Sequence, residues 1–297
     1  NELVRTDMLD YALEIEHFDK HLGRILQTLE EEGELENTII VVTSDHGMPF
    51  PRCKGQEYNN SNHVPMAVMW KNGIKKPGRT VDDYISLIDI APTLLEAVGV
   101  EQDKTGMKPI TGRSFIDILK NKKTGTDRGF VMIGNERHDV GRPDDQGYPI
   151  RGMIRGDYLY LKNFETERWP AGNPETGYMN VDGSPTKTEV LKAKHNKETA
   201  YYWQLSFGKR KAEELYNIRK DPDCMVNLAE MPEYEPLKRK LEKEMTLRLV
   251  EQEDPRMFGR GGLFDKYPDM SPAHQFWNRT EAGEKVRSGW VNPTDFQ

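Results

Sequence analysis

Cysteine is almost absent. Cys53 and Cys224 are the only two in 297 residues, far apart in sequence, which excludes a disulfide framework and a cysteine-rich zinc site. Long apolar runs are lacking too. The longest is a strand's length, far short of the roughly 20 residues that cross a bilayer, so no membrane insertion is expected. Basic excess is missing: 42 Lys and Arg against 49 Asp and Glu leave a net charge of −7 and a pI near 5.6. That balance argues against a nucleic-acid surface. No internal repeat is visible. The chain opens on Asn1-Glu2 without Met and reads as a processed or excised piece, so the lack of a leader says nothing about the parent protein. A hydrophobic content of 36% is enough for one large domain or two smaller ones.

The chain is organised around Thr38–Trp70. Thr38–Thr43 is β-branched and apolar, as a buried strand requires, and Ser44-Asp45-His46-Gly47 follows at once. Open α/β sheets bind ligands just past the carboxyl ends of their strands, where Asp45 and His46 stand. Lys54 follows in a loop, and Val64–Trp70 is a second buried strand. A carboxylate and an imidazole at a strand tip with a cation nearby point to a metal and an anionic substrate. Asp-His-Gly is also ordinary turn chemistry, so its surroundings must decide.

Before this stretch, Met8, Tyr11, Ile15, Phe18, Leu22, Ile25 and Leu29 step by three and four, which predicts a long amphipathic helix. His17 and His21 are four apart but lack a metalloprotease carboxylate motif, and read as a solvated or half-buried face. After it, Tyr84–Val98 reads as a helix with Pro92 in a first turn or at a kink and Gly99 as C-cap. Gly129–Gly134 is a further buried strand that delivers Asn135, Glu136, Arg137 and His138 to its end, repeating the Asp45 geometry. Gly, Pro and Asp cluster from Arg142 to Tyr148 and suggest a domain boundary. Gly152–Arg155 and Tyr158–Asn163 flank Gly156-Asp157 as an antiparallel hairpin. Arg168–Lys197 reads as a long surface excursion, Glu213–Ile218 as a strand or turn entry, and Leu237–Val250 as a helix. The stretch beyond Asp254 reads as a wrapping tail without its own core.

Four stretches resemble, in order, the sulfatases of the alkaline-phosphatase superfamily. They are Tyr11–Gly47 ending TSDHG, the loop Lys54…His63-Val64-Pro65, ISLIDIAPTLLEAVGV with ITGRSF, and EELYNIRKDPDCMVNLA at Glu213–Ala229. DHGMPFP and EQEDPR look most similar to heparan N-sulfatases, the N-sulfoglucosamine sulfohydrolases. The resemblance implies an α/β sulfatase fold: a mostly parallel sheet between helices over residues 1–145. A smaller C-terminal α+β subdomain with an antiparallel sheet would occupy 146–297. It implies hydrolysis of a sulfate ester or sulfamate on a heparan-type or other sulfated glycan, with calcium and a formylglycine nucleophile. By position, Asp45 and His46 would be metal ligands, with Asn in place of His in many relatives. Lys54 would grip the sulfate and, with His46, act in catalysis. Glu136, Arg137 and His138 would line the sugar pocket, with Arg137 turned away by strand alternation. A periplasmic, lysosomal or secreted location follows from the family, and a homo-oligomer is left open.

The nucleophile motif C/S-x-P-x-R is missing: Cys53 precedes Lys-Gly-Gln, Cys224 precedes Met-Val-Asn, and Ser271 has its Pro one place too early. The chain thus resembles the C-terminal half of a sulfatase, with the N-terminal half of the same protein as its partner. A phosphodiesterase or phosphonate hydrolase of the superfamily, and a non-catalytic glycan-binding relic, are the rival readings. Strands apolar on both faces belong to a covered parallel sheet. These residues alone are therefore expected to be insoluble or molten and inactive. A soluble, cooperatively unfolding and sulfatase-active preparation of them would contradict this.

Overall fold

A computed structural model describes residues 1–297. In chain order the elements are α1 (Glu2–Glu31), β1 (Ile40–Thr43), α2 (Asn59–Asn62), β2 (Met66–Met69), α3 (Ile90–Ala97) and α4 (Ile116–Leu119). They continue with β3 (Phe130–Asn135), β4 (Ile150–Arg155), β5 (Tyr158–Asn163), α5 (Pro185–Ala193), α6 (Ala200–Phe207), β6 (Glu213–Asn217), α7 (Glu235–Glu251) and α8 (Phe276–Glu281). Two compact units result: one holds residues 1–14, 44–64 and 132–297, the other 15–43 and 65–131. Residue 145 lies inside the former.

In the 15–131 unit, β1 and β2 pair antiparallel, with Val41 opposite Val68. This corrects the parallel arrangement expected for these two strands. Their residues are only half-buried. Phe115, Ile116 and Leu119 are buried, with Val68, Trp70 and Ile74 packed against them. The helix expected from Tyr84 starts six residues later. A 3-10 turn over Leu87–Asp89 leads into it, closed by a capping box in which Ser86 N–H donates to Asp89 Oδ2 at 2.9 Å. Pro92 then falls in the first turn of α3, where its missing N–H costs nothing. Asp89 is buried and also accepts from Arg113 N at 2.6 Å, while Thr93 Oγ1 accepts from Phe115 N at 2.9 Å. The LIDIAPT and TGRSF stretches are therefore one hydrogen-bonded brace. Helix α1 forms as expected, but no residue in it is buried. Met8, Phe18 and Ile25 are exposed along its apolar stripe.

The larger unit is built on a four-stranded sheet in the order β3-β4-β5-β6. The hairpin forms as expected, with Gly152 opposite Leu161 and Arg155 opposite Tyr158. Gly156, at φ 55°, supplies the left-handed turn. β6 pairs antiparallel with β5, Leu215 opposite Tyr160. Met153, Leu159, Tyr160, Leu161 and Leu215 are wholly buried. Helix α7 packs on β4 and β5, and its Leu241, Met245 and Leu249 are buried at helical spacing. The EELYN stretch ends in a corner. Asp221 accepts the N–H groups of Met225 and Val226, and Asn227 Oδ1 accepts those of Leu215 and Ala229.

Two expectations need correction here. Arg168–Lys197 is no surface excursion: Ala171, Tyr178, Val181 and Leu191 join Phe207 in a buried cluster. The tail does build a core, since Phe276, Ala273 and Val291 pack with Val140 and Met179. In both stretches the apolar residues are widely spaced, so no period announces their burial.

Glu57 carries a pH-dependent cost. Burial raises its carboxyl from 4.5 to about 7, against the lowering by the Asn62 hydrogen bond and by Arg210. Between these values the folded chain keeps a proton that the unfolded chain releases, so stability falls as pH rises through the window and stays lowered above it. Glu57→Gln is expected to be neutral at about pH 4 and to stabilise by on the order of 2–3 kcal/mol at about pH 8. Urea unfolding at both values checks this; equal midpoints for parent and variant at pH 8 would refute it.

Candidate active site

The strand tip is shaped by backbone contacts. Gly47 N donates to Ser61 O at 3.1 Å, and a Cβ at Gly47 would stand 2.0 Å from Asn60 O. Only glycine admits this approach of the Asp-His-Gly turn to α2. The Asp45 side chain is 85% exposed, and its Oδ1 accepts from His46 N at 3.1 Å. His46 Nδ1 lies 2.7 Å from Gly47 O. A carbonyl only accepts, so Nδ1 is the donor of this contact and Nε2 is the ring nitrogen left to face Asp45. Nε2 lies 3.5 Å from Asp45 Oδ2, so both candidate metal donors face one side.

Lys54 is held across a long sequence gap. Its Nζ lies 2.6 Å from Asp182 Oδ2, a residue that no local pattern singled out. The next residue, Gly55, has φ +71°, and a Cβ there would stand 2.5 Å from His138 Cδ2 and 3.0 Å from Asn180 O. The loop thus presses against the His138 ring. Burial lowers the His138 pKa first, and the Lys54 charge adds to this, with Asp182 opposing and His46 adding a smaller lowering. Two imidazoles, an ammonium and a carboxylate therefore share one electrostatic neighbourhood. Beside them, burial raises Asp139 from 3.8 to about 6.

The other expected residues are engaged elsewhere. Glu136 accepts from Arg151 Nη2 at 2.5 Å, and from Arg256 Nε and Nη2 at 2.7 and 2.6 Å. Arg151 Nε also reaches Asp254 Oδ2 at 2.6 Å. Arg137 Nη1 donates to the Asp145 and Tyr267 carbonyls, both at 3.1 Å. Arg52, a second cation of the same loop, is turned inward. It donates to Leu205 O at 2.7 Å and to Cys224 O, and lies 3.8 Å over the Tyr58 ring. His17 and His21 are exposed, 3.1 Å apart through their Nε2 atoms. Both cysteines are buried and free; burial raises both thiols, Cys224 to about 11, so neither is an activated nucleophile.

The metal fit is partial. Calcium takes six to eight oxygen ligands. No group of three or more His, Cys, Asp or Glu side chains is placed to hold an ion. Asp45, exposed at the strand tip, can contribute one carboxylate to a shell completed by other groups.

Residues 5–100 match the sulfatase family model. The chain is 33% identical over 250 residues to an ulvan-active sulfatase of Formosa agariphila, covering 82% of this chain and 38% of that protein. It is 26% identical over 280 residues to human N-sulphoglucosamine sulphohydrolase, covering 91% of this chain and 53% of that protein. A putative sulfatase of Bacteroides fragilis superposes with a TM-score of 0.55 at 19% identity, over 85% of this chain and 43% of that one. The chain belongs to the sulfatase family and has the alkaline-phosphatase-like fold of these neighbours. It spans about 40 to 50% of the length of the two curated relatives.

Gly55 offers a direct test of the geometry. Gly55→Ala places a methyl group against the His138 ring in a left-handed conformation that itself costs about 1 kcal/mol or more. His138, pushed outward, should titrate closer to 6.5, as followed by histidine NMR. An unmoved titration would contradict the packing described.

Proposed function

We propose that this chain forms the C-terminal part of a sulfatase catalytic unit that hydrolyses a sulfate ester or sulfamate on a sulfated sugar of the glycosaminoglycan type. The observation that carries this is the meeting of the Asp45-His46 strand tip with Lys54, Asp182 and His138 in one unit, within a sulfatase-family chain. The N-sulfoglucosamine reading draws on the human relative, whose match covers 91% of the chain. A periplasmic, lysosomal or secreted location goes with this reading. The exposed apolar stripe of α1 suits a surface covered by the rest of that unit, the N-terminal half of the same protein.

Each group has a chemical part. Lys54 supplies a point charge to a tetrahedral anion, and Asp182 holds its ammonium in place. Asp45 is the carboxylate that would hold calcium, with His46 Nε2 turned to the same side. When bound, that ion supplies a hard Lewis acid for a sulfate oxygen. His138, whose pKa burial and Lys54 lower, can donate or accept a hydrogen bond at the sugar in its neutral form. Glu136 and Arg137, expected at the sugar, we assign to the scaffold, because their polar atoms already serve arginines and carbonyls. The formylglycine nucleophile would come from outside these residues, as no sequence here fits its motif.

Lys54→Ala in the full-length protein is expected to lower turnover of an N-sulfated or O-sulfated glucosamine by about a hundredfold, the usual loss for one charge-stabilising donor. Asp45→Ala should lower bound calcium in elemental analysis together with activity. Near-parent turnover in the first variant, or full metal content in the second, would sink the corresponding role. Release of phosphate from phosphonate esters, with sulfated sugars untouched, would redirect the reading to the rival hydrolase class.

A further inference from the structure

Asp182 lies in a stretch that has no regular secondary structure, yet Tyr178, Met179, Asn180 and Val181 are buried within it. What holds this stretch is remote in sequence. Lys187, wholly buried in the first turn of α5, turns its ammonium back on it. Nζ donates to Gly177 O and Val181 O at 2.7 Å each, and lies 3.3 Å from Asp295 Oδ2. Asp295 is wholly buried as well. It closes a capping box with Asn292 and accepts from Thr188 Oγ1 at 3.3 Å.

The segment around Asp295 brackets Asp182 on both sides. Trp290 Nε1 donates to Met179 O at 3.1 Å, Gly183 N donates to Trp290 O at 2.7 Å, and Gln297 N donates to Pro174 O at 3.0 Å. Val291 packs with Met179 and with Val140, which lies two residues beyond His138. A Cβ at Gly177 would stand 2.6 Å from Val291 Cγ1, so the Val291 side chain lies against the Gly177 backbone where a side chain there would collide. The segment thus touches both stretches that carry His138 and the partner of Lys54. A buried Lys–Asp pair is commonly no better than apolar residues for stability alone. Here the lysine spends its donors on the carbonyls beside Asp182.

We propose that Trp290–Gln297 is a clamp that sets the position of Asp182, and through it the Lys54 ammonium, with Lys187, Asp295 and Trp290 as positioning residues for the sulfate-binding cation. The proposal rests on the sulfatase reading for its consequence in catalysis, but not for its geometry.

The test uses the full-length protein with Asp295→Asn and with Trp290→Phe, which keeps an aromatic ring and loses one N–H. Competitive acetylation with trace acetic anhydride, read by mass spectrometry, reports each lysine. Lys54 should become about tenfold more reactive in the variants while exposed lysines elsewhere stay unchanged. Turnover of the sulfated glucosamine should fall about tenfold along with this change, as for a transition-state contact of Lys54 that is weakened but not removed. A purely structural role would lower the active fraction without moving Lys54 reactivity. Unchanged Lys54 reactivity in a variant that folds overturns the clamp. If Asp295→Asn does not fold, Trp290→Phe decides. Increased Lys54 reactivity in a protein whose parent form cleaves no sulfated sugar would leave the clamp standing and remove the sulfatase reading instead.

Discussion

The candidate site depends on one ion pair, Lys54 to Asp182, 2.6 Å long and joining residues 128 apart in sequence. A half-buried ammonium needs a counter-charge, and a half-buried carboxylate needs the same, so the pair locks two loops that share no backbone ladder. Gly55 transmits this to a third segment, because its missing side chain lets the loop lie against the His138 ring and the Asn180 carbonyl. The strand tip joins through electrostatics: burial lowers the His138 pKa first, and Lys54 and His46 lower it further.

Much of the remaining chemistry is scaffolding. Glu136 binds two arginines, Arg151 and Arg256, and Arg151 in turn binds Asp254. This chain of alternating charges ties the end of β3 and β4 to the turn after α7, so the EDPR stretch acts as a brace for the segment that carries His138. Asp89 and Thr93 play the same part for LIDIAPT and TGRSF. Asp221 and Asn227 do so for the corner after β6. The stretches of this chain that carry the resemblance are thus to a large extent hydrogen-bond braces, built from short polar side chains that bond to backbone two to five residues away or across one packed gap.

Local information was sufficient for the elements with a period. The apolar steps of α1 and α7, the β4–β5 hairpin around Gly156-Asp157, and the placement of Asp45 and His46 just past β1 follow from residues within a few positions of one another. Family resemblance carried the fold and singled out Lys54, which the structure pairs with Asp182. Periodicity was silent where burial is assembled from scattered residues, as in Arg168–Lys197 and the tail that supplies Phe276 and Val291.

The sequence by itself determined which side chains stand at the strand ends, because strand alternation and turn chemistry act over a few residues. Tertiary structure alone decided their partners. It chose Asp182 for Lys54, two arginines for Glu136, and Asp295 for Lys187; it also set β1 antiparallel to β2. The reason is physical: a buried charge is satisfied by whatever opposite charge or carbonyl the packed chain brings within about 3 Å, and that distance has no correlate in sequence separation.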